Sequence, residues 1–196
     1  GEVAVTALQS TDAADLSAIT ATTHTASVSG TNTSFTGDIG DAAVTVASGT
    51  WTVGNGATIS TAASMSVSSG ATLTGDAAIL TGETISGAGT VAVTALQSTD
   101  AANLSAITAT THTASVSGTN TSFTGDIGDA AVTVASGTWT VGNGATISTA
   151  ASMSVSSGAT LTGDAAILTG ETISGAGTVA VTALQSTDAA DLSALT

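Results

Sequence analysis

Apolar positions in this chain recur at the two-residue interval of a strand and at intervals of six, not at the three-and-four spacing of a helix. Val44-Thr45-Val46, Trp51-Thr52-Val53, Ser64-Met65-Ser66-Val67 and Val91-Ala92-Val93 alternate as half-buried strands do. Their Val and Thr side chains are β-branched and suit a pleated surface. Val53, Ile59 and Met65 follow one another at six residues, and a two-residue step reaches Val67. Leu73, Ile79, Ile85 and Val91 then continue at six. The segments VSSGAT, LTGDAA, ILTGET and ISGAGT each bring one aliphatic anchor and a set of small turn formers, which is hexapeptide-type solenoid patterning. Upstream, Thr20 to Thr36 predicts two or three Thr/Ser-rich strands carrying Ala26, Val28 and Phe35. Ser10-Thr11-Asp12 ahead of Ala13 to Ile19 predicts an N-capped helical turn or a loop.

The pattern then repeats. Val3 to Thr20 reads VAVTALQSTDAADLSAIT and returns at Val91 and Val179, a period of 88 residues. Residues 3–90 and 91–178 differ only at Asp15 against Asn103, the mark of a recent tandem duplication. The organisation is therefore repeat 1 at 3–90, repeat 2 at 91–178 and the start of a third at 179–196. Residues 1–2 read as the tail of a preceding repeat or an appended remnant. With no initiator Met and no signal peptide, the chain reads as a segment of a longer array. The expected fold is all-β: a tandem-repeat parallel β-solenoid, or β-helix, with a short helical or loop interruption once per 88-residue repeat. A short strand has too few apolar atoms to be stable alone. Laid on the next coil it pairs its backbone and adds its side chain to a continuous interior column.

Composition narrows the function classes. The chain has no Lys, Arg, Pro or Cys, and its 14 acidic residues give a net charge of −14. Phosphate recognition rests on Lys and Arg, so nucleic acid is excluded as a partner, and anionic membrane surfaces are disfavoured for the same reason. Without cysteine there is neither a disulfide framework nor a thiolate metal site. No apolar run has the length of a membrane span. Two Trp and two Phe imply a thin core of small residues rather than a wide globular one.

Four features carry candidate chemistry. Gly37-Asp38-Ile39-Gly40-Asp41, repeated around Asp126 and Asp129, places two carboxylates three apart in a Gly-containing turn. Ca²⁺ takes such oxygens, and turn-forming aspartates bonded to local N–H groups are the plain alternative. Asp76 and Glu83 are two further acids of the same repeat. Asp12 and Asp15 need no role beyond an acidic helix start, and Asn103 shows that the second charge is dispensable. His24 and His112 have no nucleophile motif beside them, so no catalytic residue is assigned and a surface or interface position is expected. Thr50-Trp51-Thr52 and Thr72-Leu73-Thr74 each set two outward hydroxyls around an inward residue. They resemble the Thr-x-Thr arrays of ice-binding solenoids, but their uneven spacing along the chain argues against a flat matching face. Trp51, Trp139, Phe35 and Phe123 read as core plugs before sugar platforms.

VSSGATLTGDAAILTG and ISGAGTVAV, over residues 53–93 and 141–181, resemble the repetitive β-solenoid regions of bacterial extracellular surface proteins: large adhesins, autotransporter passengers and filamentous-haemagglutinin-type fibres. The resemblance implies an extracellular or cell-surface location and a non-enzymatic, structural or adhesive role, and it carries over no individual residue. The expected function is a structural component of an extracellular fibre, sheath or surface layer. It would self-associate end to end or laterally as a homopolymer, with Ca²⁺ as the possible cation at Asp38, Asp41, Asp126 and Asp129. The alternative is an adhesin stalk or binding module that contacts glycan or another cell surface.

Overall fold

A computed structural model describes residues 1–8, 13–96, 101–184 and 189–196. In chain order the first elements are β1 (Glu2–Val5), β2 (Thr23–Val28), β3 (Asn32–Phe35), β4 (Ala43–Val46), β5 (Thr50–Val53), β6 (Ser64–Val67), β7 (Thr72–Gly75), α1 (Ala77–Leu80) and β8 (Ile85–Val93). They are followed by β9 (Ile107–Val116), β10 (Thr119–Phe123), β11 (Ala131–Val134), β12 (Thr138–Val141), β13 (Ser152–Val155), β14 (Thr160–Asp164), α2 (Ala165–Leu168), β15 (Ile173–Ser174) and β16 (Thr178–Thr182). The paired strands run parallel, and the fold is an all-β parallel solenoid of stacked coils. Two compact units divide it: residues 1–93 with 106–112, and residues 94–105 with 113–196.

In the first unit each coil has three sides. One side is the ladder β1, β2, β4, β6 and the start of β8, which brings Ala26, Val44, Met65 and Ile85 into one inward column at steps of 18, 21 and 20 residues. The second side is β3, β5, β7 and the end of β8, with Trp51, Leu73 and Val91 in register. The third side is held by single bridges from Asp15 to Asp38 and from Asp38 to Thr58. The six-residue steps of the sequence are steps from side to side: Val53 on the second, Ile59 on the third, Met65 back on the first.

The strand predictions hold over Val44–Val46, Trp51–Val53, Ser64–Val67 and Val91–Val93, and over the upstream strands with Ala26, Val28 and Phe35 buried. The alternation of half-buried and buried positions along β4, β5 and β7 is the period-2 pattern made physical. Phe35 and Trp51 are fully buried in the interior, with ring centroids 5.5 Å apart and planes tilted by 52°.

Of the helical turn or loop expected before Ile19, the described residues form the loop, and the helix of the repeat lies elsewhere. Residues 13–19 form a bridge at Asp15 and a turn, with Ile19 N–H donating to the Leu16 carbonyl at 3.1 Å; residues 10–12 lie outside the described part. The helix is instead α1, started by Asp76, whose side chain accepts from Ala78 N–H at 3.0 Å. Ala-Ala-Ile-Leu is a run of helix formers, so Ile79 leaves the inward hexad column and is half-buried, while Leu80 turns in. Leu80 packs against Gly75, where an added Cβ would sit 3.0 Å from the Leu80 Cγ.

The second unit repeats the plan. Ala114, Val132, Met153 and Ile173 form one column and Trp139, Leu161 and Val179 another, with bridges Asn103–Asp126 and Asp126–Thr146 on the third side.

Candidate functional site

Asp38 and Asp41 line the same open cavity of the first unit, about 500 Å³, together with Ser17, Thr20, Gly40 and Thr61. The loop that presents them is locked by its own backbone. Asp38 N–H donates to the Ala14 carbonyl at 2.9 Å, and Leu16 N–H returns the bond to the Asp38 carbonyl at 2.8 Å. Gly40 N–H donates to Asp38 Oδ1 at 2.8 Å, the local turn bond expected of an aspartate here. Thr61 Oγ1, one coil on, donates to the Gly40 carbonyl at 2.7 Å. Gly37 must be glycine, because a Cβ there would lie 2.2 Å from the Ala14 carbonyl oxygen. In the second unit Asp126 accepts from Gly128 N–H at 2.8 Å and Thr149 donates to the Gly128 carbonyl at 2.6 Å; Asp129 is exposed.

Among the described residues no three His, Cys, Asp or Glu side chains cluster as a metal-binding group. Asp38 and Asp41 therefore offer two carboxylates beside the hydroxyls of Ser17 and Thr20, in an open setting where water would complete a Ca²⁺ shell of six to eight oxygens. Asp76 is spent as the cap of α1.

His24 is not at the surface. It sits on the inward side of β2 with Ala26 and Val28, at 5% exposure. Its Nδ1 meets Asp41 Oδ1 at 3.1 Å. A carboxylate accepts, so Nδ1 carries the proton. Nε2 is buried without a hydrogen-bond partner among the described residues. The signal was in the alternation Thr23-His24-Thr25-Ala26, which puts His24 on the side of Ala26. The buried ring orients the Asp41 carboxylate. His112 is buried to the same degree.

Asp15 explains the one difference between the repeats. Its Oδ1 accepts from both Ser17 N–H and Ser17 Oγ, which holds the Asp15 carboxyl below the usual carboxylate range. Asn103 makes the same two bonds to Ser105 through its amide oxygen, at 3.1 and 2.6 Å. The turn needs one acceptor oxygen and not the charge. Asp15→Asn is therefore expected to leave the thermal melt at pH 7 unchanged, whereas Asp15→Ala lowers it. A clear drop for the Asn variant would overturn this account.

Glu83 and Glu171 are each only 7% exposed. Burial pushes the Glu83 carboxyl up to about 7, and raises Glu171 for the same reason. The folded state thus holds these protons more tightly than the unfolded chain, whose glutamates titrate near 4.5. Their contribution to stability is full below about pH 4.5 and is lost as pH rises, for Glu83 through about 7. The melting temperature is expected to be higher at pH 5 than at pH 8, and a Glu83→Gln/Glu171→Gln pair should flatten that slope. Equal slopes in the two proteins would refute the assignment. The lowered carboxyls of Asp15 and Asp191 act in the opposite sense, only at more acidic pH.

No family model matches the chain, and neither a curated protein nor a solved structure matches it. No helix among the described residues is long and apolar enough to cross a membrane.

Proposed function

We propose that this chain is a structural section of an extracellular fibre, sheath or surface layer, built by adding coils along parallel ladders. The observation that carries this reading is the ladder that runs on from one repeat into the next. Leu73 of β7, in repeat 1, pairs in register with Val91, the first residue of repeat 2, and Val91 is fully buried. Each repeat thus covers the first strand of its neighbour, and a coil added to the stack gains paired backbone and a buried aliphatic side chain. Fully burying a valine contributes about 1.5–3 kcal/mol. The composition suits such a polymer: 14 acids and no Lys or Arg keep neighbouring fibres apart unless a divalent cation bridges them. Asp38, Asp41, Asp126 and Asp129 are the carboxylates best placed for Ca²⁺ in this reading. A glycan-binding stalk is supported less well, because the aromatic rings a sugar would stack on are fully buried.

Electron microscopy of the native material, with and without EDTA, tests the proposal. Long uniform filaments with a meridional repeat near ~4.8 Å are expected, and short isolated rods or compact particles would overturn the fibre reading. EDTA should disperse lateral bundles, with CaCl₂ restoring them; bundles and melting temperature unmoved by chelation would remove calcium from the account.

A further inference from the structure

The second side of the first unit presents a regular threonine grid. The register of β5, β7 and β8 aligns Thr50 with Thr72 and Thr90 in one outward row, and Thr52 with Thr74 and Ala92 in the next. The triplets are unevenly spaced in sequence, 22 and then 18 residues apart, but the unequal coil lengths absorb the difference and the rows come into line. The second unit builds the same grid from Thr138, Thr160 and Thr178 beside Thr140, Thr162 and Ala180. Neighbouring rungs are about 4.8 Å apart, and the two rows are separated by two residues of strand, about 6.6 Å.

Three properties of the grid point to its ligand. First, its threonines are half-buried by their own neighbours, apart from the exposed Thr178, and β-branching leaves each few rotamers, so the hydroxyls are held on a lattice before anything binds. Second, among the described residues none of the five grid hydroxyls of the first unit has a hydrogen-bond partner, whereas on the neighbouring ladder Thr45 and Ser66 close on each other at 3.3 Å. Third, the six positions carry no charge on a chain of net charge −14. A mineral cation surface would require carboxylates, which the grid lacks. A polysaccharide would call on aromatic platforms, and Phe35 and Trp51 are buried beneath. What remains for a neutral, pre-ordered lattice of hydroxyls and methyls is to hydrogen-bond and order water.

We propose that this threonine face binds ice, each hydroxyl anchoring a water that is shared with the crystal surface. The idea is independent of fibre assembly and is read in a separate assay. Ice-crystal shaping and recrystallisation inhibition would be measured on the 196-residue chain, its fold checked by circular dichroism. The wild type is expected to shape ice and slow recrystallisation, a Thr72→Lys/Thr160→Lys pair to lose at least tenfold, and Thr25→Lys on the neighbouring ladder to lose nothing. Folded wild type without effect on ice, or a Lys pair as active as wild type, would overturn the proposal. If the Lys pair fails to fold, Thr72→Ala/Thr160→Ala replaces it and is expected to weaken inhibition several-fold; full retention would be equally fatal.

Discussion

Trp51→Ala is expected to cost about 3–5 kcal/mol of stability, the range for truncating a fully buried large aromatic. The indole is fully buried, tilts against Phe35 at 5.5 Å and lies in register with Leu73 on the next coil. Few other large side chains exist to collapse into the gap, because the interior is otherwise Val, Ile, Leu, Met and Ala. Urea denaturation should show a lower midpoint with unchanged slope. Trp51→Phe gives a sharper contrast. The Trp51 Nε1 proton is buried with no acceptor among the described residues, so Phe removes ring volume but also removes an unsatisfied donor. Its loss should be less than half that of Ala. Equal losses would show that the indole N–H is satisfied, for example by internal water.

Gly87→Ala is expected to be nearly as damaging, though it adds only one methyl group. Gly87 sits inside β8 where the strand turns from the first side of the coil to the second. Its φ is +119°, and a Cβ would lie 2.2 Å from the Val67 carbonyl oxygen of the preceding coil. Backbone strain of about 1–3 kcal/mol adds to overpacking of about 1–3 kcal/mol. Gly70 is the control: its φ of +78° is also left-handed, but nothing lies within 4 Å of the added atom. Gly70→Ala should show the strain alone, about 1 kcal/mol. If the two variants melt together, the close approach of coils at Gly87 is not real.

The strands, their inward residues and the solenoid class were legible because stacked coils bury a residue at every second strand position, and hexads mark successive sides. Ile79 shows where that logic stops. It keeps the six-residue step, but Asp76 caps the next residues into a helical turn and Leu80 takes the inward place against Gly75. A capping bond of about 1 kcal/mol and a neighbouring glycine decide this, and periodicity sees neither. His24 was legible in principle from the alternation of β2, and its polarity alone suggested the surface. Its pairing with Asp41, 17 residues on, required the coil to be closed.

By itself the sequence determined the repeat, the Lys- and Arg-free chemistry of its strands, and the two carboxylates of the Asp38-Ile39-Gly40-Asp41 turn, since these are properties of composition and local order. Only the tertiary structure decided register. Coil lengths of 18, 20, 21 and 22 residues differ through their corners, so no fixed interval along the chain says which threonine stacks on which. Backbone pairing between coils settles that. It is why Thr50, Thr72 and Thr90 stand in one row, and why Asp38 and Asp41 share a cavity with Thr20 and Thr61.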